Sequence, residues 1–137
     1  MKHAFFLAGL FLALAQFDLA EAASCRLDIK LVNKTGKTMS VIQRENSKYD
    51  SSILVKGGSW HLIWIASPPG STKAIKKNGT YHFIYQTATS CDQFRRFRFG
   101  YRCGDGNPKL RYFPGTSGWF PKGQKTFRFL FEEAACS

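Results

Sequence analysis

The stretch Phe94-Arg95-Arg96-Phe97-Arg98-Phe99-Gly100-Tyr101-Arg102-Cys103 sets the reading of the chain. Successive side chains of a strand point to opposite faces, so this order puts Phe97, Phe99, Tyr101 and Cys103 on one face and Arg96, Arg98 and Arg102 on the other. One face is apolar enough to enter a core, and the other is a row of guanidinium groups. The same period of two recurs where Leu27, Ile29 and Leu31 alternate with Arg26, Asp28 and Lys30.

Working outward, Asn33-Lys34-Thr35-Gly36 reads as a turn and Thr38 to Gln43 as a returning strand, so the first two strands are expected to form a hairpin. Ile53 to Val55 is a short strand ended by Gly57-Gly58. Trp60 to Ile65 is apolar on both faces, which predicts a central or sheet-covered strand, and Pro68-Pro69-Gly70 stops it. Lys76-Lys77-Asn78-Gly79 is a hairpin-turn signal ahead of Tyr81-His82-Phe83-Ile84-Tyr85. That order of aromatic, His, apolar, Ile and aromatic copies Trp60 to Trp64, and the two segments are expected to be neighbouring core strands. Leu110 to Phe113 and Lys125 to Phe131 complete the set, and no window of ten or more residues carries a helical period. The expected fold class is all-β, a small disulfide-stapled β-sandwich or barrel with little helix.

Residues 1–22 read as a secretory signal peptide. Lys2 and His3 precede an apolar run from Ala4 to Ala15, and Ala20-Glu21-Ala22 offers the small residues of a cleavage site. The run is shorter than the roughly 20 residues of a spanning helix, and no comparable stretch follows. The expected product is a secreted, extracellular single all-β domain, 23–137, with no integral membrane segment. Its cysteines, Cys25, Cys91, Cys103 and Cys136, are even in number, which in an oxidising compartment predicts two bridges. Of the three pairings that four cysteines allow, Cys25–Cys136, joining the chain ends, and Cys91–Cys103, closing a short excursion, are the expected ones. There is no C-x-x-C pair, and no cysteine stands at finger-like spacing from His61 or His82, so neither a metal nor a cofactor is expected. Asn33-Lys34-Thr35 and Asn78-Gly79-Thr80 are acceptor sequons in turn-like sequence, and both asparagines are expected glycosylation sites.

The charge is lopsided. Loss of the leader removes Lys2, Asp18 and Glu21, taking Lys and Arg from 20 to 19 and Asp and Glu from 9 to 7, so the formal net charge moves from +11 to +12. Such a field draws anionic partners: acidic polysaccharide, nucleic acid or an anionic membrane surface. It also simply keeps an exported protein soluble. Arginine grips phosphate, sulfate or carboxylate with a planar fork, so Arg96, Arg98 and Arg102 are candidate binding residues, and Lys109 and Arg111 would widen the row if they pair alongside. The same row also suits a solvated outer face. In the loop Pro114-Gly115-Thr116-Ser117-Gly118-Trp119-Phe120-Pro121, Trp119 and Phe120 are candidate contacts for sugar, membrane or protein, or plugs for one end of the core.

The supply of catalytic groups is thin. His61 and His82, with Glu45, Glu132 or Glu133, could build a metal-free ribonuclease site if the two strands pair and bring both imidazoles to one face. No G-x-S-x-G elbow is present, and Gly104-Asp105-Gly106-Asn107-Pro108 lacks the Lys-Ser/Thr of a phosphate-binding loop.

Taken together, the leader, four cysteines, basic charge and β-rich body resemble the small secreted effector-like proteins that plant-associated fungi deliver to hosts. The resemblance is one of format and assigns no residue. It implies a non-catalytic effector or virulence-type protein that binds a host component. A basic ribonuclease, a cationic toxin or antimicrobial acting on anionic membranes, and an extracellular carbohydrate-binding module are the alternatives.

Overall fold

Among the residues described by the computed structural model, 24–44, 48–65 and 72–137, the period of two becomes nine strands. They are β1 (Cys25–Asn33), β2 (Met39–Ile42), β3 (Ser52–Val55), β4 (Trp60–Leu62), β5 (Thr72–Ile75), β6 (Thr80–Thr87), β7 (Arg95–Cys103), β8 (Lys109–Phe113) and β9 (Thr126–Phe131). A single 3-10 turn, Glu133–Cys136, is the only helical element among the described residues. The expected signal peptide, the Pro68-Pro69-Gly70 turn and Glu45 lie outside them.

One sheet has the order β6-β1-β9, with β1 antiparallel to β6 and parallel to β9. The second is organised on β7. Phe97 pairs with both Ile53 and Phe113, and Gly100 with both Ile42 and Leu110. A residue has two ladder edges, so β2 and β3 lie end to end along one edge of β7 while β8 takes the other. The described residues 48–51 cross over β7 ahead of β3, and Ser51 fastens them to the sheet: its hydroxyl donates to the Ile42 carbonyl at 2.6 Å and accepts from the Gly100 N–H at 3.1 Å. Gly100 is required by this crossing, since a Cβ there would stand 1.5 Å from the Tyr49 carbonyl oxygen.

The core lies between the sheets, and it is aromatic. Leu27, Ile29, Leu31, Phe127, Phe129 and Phe131 face Met39, Val41, Phe97, Phe99 and Tyr101, all buried. The Phe129 ring sits 4.9 Å from Phe97, 5.2 Å from Phe99 and 4.7 Å from Phe113, centroid to centroid, in tilted arrangements that aromatic quadrupoles favour.

Several expectations are corrected. The first two strands form no hairpin: β1 and β2 belong to different sheets, and the turn after Asn33 carries the chain across the sandwich. The Lys76-to-Gly79 turn also crosses, from β5 to β6, with Asn78 in the left-handed region at φ 62°. Asn33 fastens both crossings, its amide reaching the carbonyls of Lys37 at 2.7 Å and Ile75 at 2.9 Å. Asn33 is fully buried and that amide is committed, so the expected glycan at this position is incompatible with the fold. Asn78 is exposed. The Trp60-to-Ile65 segment is no central strand. Only Trp60–Leu62 is extended, at a sheet edge and paired with β3 alone. Its presumed neighbour Tyr81–Tyr85 lies in the other sheet and meets it only across the layers, where the Tyr85 hydroxyl donates to the Leu62 carbonyl at 3.2 Å.

The bridges are Cys25–Cys91 and Cys103–Cys136, not the expected Cys25–Cys136 and Cys91–Cys103. The segment between Cys91 and Cys103 is mostly the extended β7. At about 3.3 Å per residue its ends alone lie roughly 26 Å apart, far beyond disulfide reach. Each end of β7 therefore has its own bridge. One ties the segment before it to the start of β1, and the other ties Cys103 to the C-terminal turn.

Phe99 has no exposed surface, and Phe99→Ala is expected to destabilise the protein by about 3–5 kcal/mol, read as a lower urea midpoint with an unchanged denaturant slope. Burial raises the phenol pKa values of Tyr81, Tyr85 and Tyr101 above the ordinary value near 10, with Arg111 opposing the shift at Tyr101. Below that ordinary value the phenols are neutral in both states and the contribution to stability is complete. Above it the unfolded chain loses protons first, so the urea midpoint should fall as pH rises beyond about 10. The three phenolates should appear late in an ultraviolet absorbance titration.

Candidate functional site

Because β7 is bonded on both edges, its side chains have only two destinations. Phe97, Phe99 and Tyr101 enter the core, and Arg96, Arg98 and Arg102 stand on the outer face, as alternation predicts. The arginines do not form a bare row. Arg96 lies over the Trp119 ring at 4.1 Å from the centroid, and its Nε–H donates to the Gly118 carbonyl at 2.7 Å. Arg98 lies over the Trp60 ring at 4.5 Å, and Trp60 meets Tyr112 edge to face at 6.0 Å. Each guanidinium is thus held over an aromatic ring, an attraction of about 0.5–2 kcal/mol depending on desolvation. All five side chains are half-buried. No ion pair neutralises Arg96 or Arg98 among the described residues. Arg98 Nε is buried beneath its neighbours without a hydrogen-bond acceptor.

The remaining sequence candidates divide. Arg102 is on the same face but set apart, because the Tyr49 backbone crosses over Gly100 between it and Arg98. Lys109 and Arg111 do not widen the row. They pair opposite Tyr101 and Phe99, and directly opposed residues of antiparallel strands share a face, so both lie on the side of the core. Arg111 folds over the Phe113 ring at 5.0 Å, and Lys109 Nζ donates to the Ser137 carbonyl at 2.8 Å. The loop aromatics also separate. Phe120 plugs the core, 5.1 Å from Phe127 and 5.9 Å from Phe97, with its N–H donating to the Arg95 carbonyl at 2.8 Å. It is not a free contact, whereas its neighbour Trp119 turns outward onto Arg96.

Two residues of this face are missing from the sequence reading, Trp60 and Tyr112. Tyr112 was legible once Phe113 was assigned inward, since alternation then sends Tyr112 out and Arg111 in. Trp60 was not, because its place depends on β4 pairing with β3 and β3 with β7.

The two histidines do not meet. His82 is on the outer face of β6, where its Nε2 lies 2.6 Å from Asp28 Oδ1. His61 pairs opposite Ile53 on the inward side of β4, at the open edge between the sheets. Both are exposed, so neither is a core histidine, and the two strands lie in different sheets. The shared imidazole face that a ribonuclease would need is absent. Among the described residues no group of His, Cys, Asp and Glu is arranged to hold a metal ion, and no helix is long and apolar enough to cross a membrane. Comparison with protein-family models, curated proteins and solved structures finds no match to this chain.

Incubation with single-stranded RNA is expected to produce no cleavage that His61→Ala or His82→Ala removes. Loss of cleavage in either variant, measured by gel on purified protein, would restore the ribonuclease alternative.

Proposed function

We propose that this chain is an exported, non-catalytic binding protein that holds an anionic polymer of a host against the outer face of β7. The carrying observation is that Arg96 lies over Trp119 and Arg98 over Trp60, with no carboxylate among the described residues to neutralise either. A guanidinium fixed on an aromatic ring loses less rotamer freedom when it grips an anion, so more of each charge-assisted hydrogen bond is retained as affinity. The rings themselves offer surface for a sugar or a base. The overall charge of +11 raises the local concentration of such a polymer. Two disulfides suit an oxidising compartment, in keeping with the leader-like residues 1–22. The effector-like role implied by the format of the chain is part of this reading, as is a glycan at the exposed Asn78.

A sulfated polysaccharide column separates this face from bulk charge. Arg96→Ala/Arg98→Ala should elute at clearly lower salt than Lys76→Ala/Lys77→Ala, which removes the same charge from an exposed turn. Trp60→Ala/Trp119→Ala, which removes no charge, should also elute earlier. Equal elution of the two double charge variants would leave bulk charge alone to explain retention.

A further inference from the structure

A cleft of about 470 Å3 opens between the sheets at the edge formed by β3, β4 and the end of β6. Its walls include Ile53, Val55, Leu62, Trp64, Tyr85 and Thr89. The opening has a sequence cause. Along the inward face of β6 the side chains run Phe83, Tyr85, Thr87, so bulk falls away toward the strand end, and Tyr85 is drawn aside by its hydrogen bond to the Leu62 carbonyl. Nothing large from β6 covers Ile53 and Val55 there. The volume falls in the range of small-molecule sites, which are mostly apolar with a few placed polar groups. Trp64 stands near the mouth, 55% exposed, one of only two large hydrophobic side chains so displayed among the described residues.

Behind one wall lies a charge without a counterion. Arg95, 1% exposed, is the ladder partner of Val55. Its guanidinium donates to the carbonyls of Ser90 at 2.6 Å and Cys91 at 3.4 Å and to the Thr89 hydroxyl at 3.4 Å, while its Nε–H has no acceptor. No carboxylate pairs with it among the described residues. Burying a guanidinium on neutral acceptors alone leaves its charge uncompensated, and in a weakly polar interior the resulting field is poorly screened. Val55 and Thr89 belong both to the cleft wall and to the immediate surroundings of Arg95, so that field emerges at one end of an apolar cleft.

We propose that the cleft binds a small amphipathic carboxylate of the fatty-acid type. Its chain lies against Ile53, Val55, Leu62 and Trp64, and its carboxylate turns toward Thr89 and the Arg95 end. This site is independent of the outer face of β7, because the cleft lies between the sheets and the arginine–tryptophan pairs lie outside them.

The test uses the oxidised full chain carrying Trp60→Phe/Trp119→Phe, which leaves Trp64 as the only tryptophan reporter. Dodecanoate, dodecanol and dodecylamine are titrated below their aggregation limits while Trp64 emission is followed. Dodecanoate is expected to give a saturable shift with affinity about tenfold or more above the other two. Val55→Phe, which fills the cleft, should abolish it. Arg95→Met should erase the preference for the anion while dodecanol affinity stays unchanged. If Arg95→Met fails to fold by circular dichroism, Thr89→Glu, which sets a carboxylate beside the guanidinium, should erase the same preference. Equal affinity for the three amphiphiles, no saturable signal, or undiminished binding by Val55→Phe would each overturn the proposal. Retention on the sulfated column is unaffected by Val55→Phe if the two sites are separate.

Discussion

β7 is the element on which the second sheet depends. It pairs with three strands, β2 and β3 along one edge and β8 along the other, and its inward side chains supply Phe97, Phe99 and Tyr101 to the aromatic core. Each of these rings meets β9 through Phe127, Phe129 or Phe131, so packing between β7 and β9 holds the two sheets together. The two bridges act at its ends, with Cys91 just before the strand and Cys103 as its last residue. A strand so constrained cannot shift register by one residue without sending its arginines into the core and its phenylalanines to the surface.

That constraint explains what the sequence disclosed. Where one face is buried, alternation is enforced residue by residue, and β1, β7 and β9 could be read directly from Leu27-Ile29-Leu31, Phe97-Phe99-Tyr101 and Phe127-Phe129-Phe131. Pairing was not legible in the same way. The turn residues after Asn33 and before Thr80 announce a reversal of direction, but a reversal serves a corner between sheets as well as a hairpin within one. Lys109 and Arg111 were misplaced for a different reason: alternation back from the inward Phe113 already puts both on its side of β8, in agreement with the register opposite Phe99 and Tyr101. The candidate site was half visible. Arg96, Arg98 and Trp119 stood out in the sequence, whereas Trp60 reaches them through two successive strand pairings.

Two buried polar side chains differ in what they give the fold. Asn33 is fully satisfied, its amide donating to the carbonyls of one turn and the strand end before the other, and its carbonyl oxygen accepting from Thr35 N–H at 3.0 Å and the Thr35 hydroxyl at 2.6 Å. It specifies where the chain crosses between layers, a role that buried hydrogen-bonded groups fill better than apolar ones because few alternative packings satisfy them. Arg95 is only partly satisfied, with one N–H unpaired and no ion pair among the described residues. A structural role alone would be met more cheaply by an apolar residue beside Phe120 and Val55.

The arginines of β7 therefore occupy three electrostatic settings on one strand. Arg95 is buried on neutral carbonyls, Arg96 and Arg98 are half-buried on tryptophan rings, and Arg102 stands beyond the Tyr49 crossing. Burial against rings keeps the guanidinium groups of Arg96 and Arg98 away from bulk water without removing their charge, so an anion that reaches them meets a field less screened than that of a lysine on a mobile stem. The exposed lysines, such as Lys76 and Lys77, add long-range attraction that salt removes first. In the proposed binding, capture at distance and grip at contact fall to different residues, so total charge and the identity of two arginines can be separated as causes.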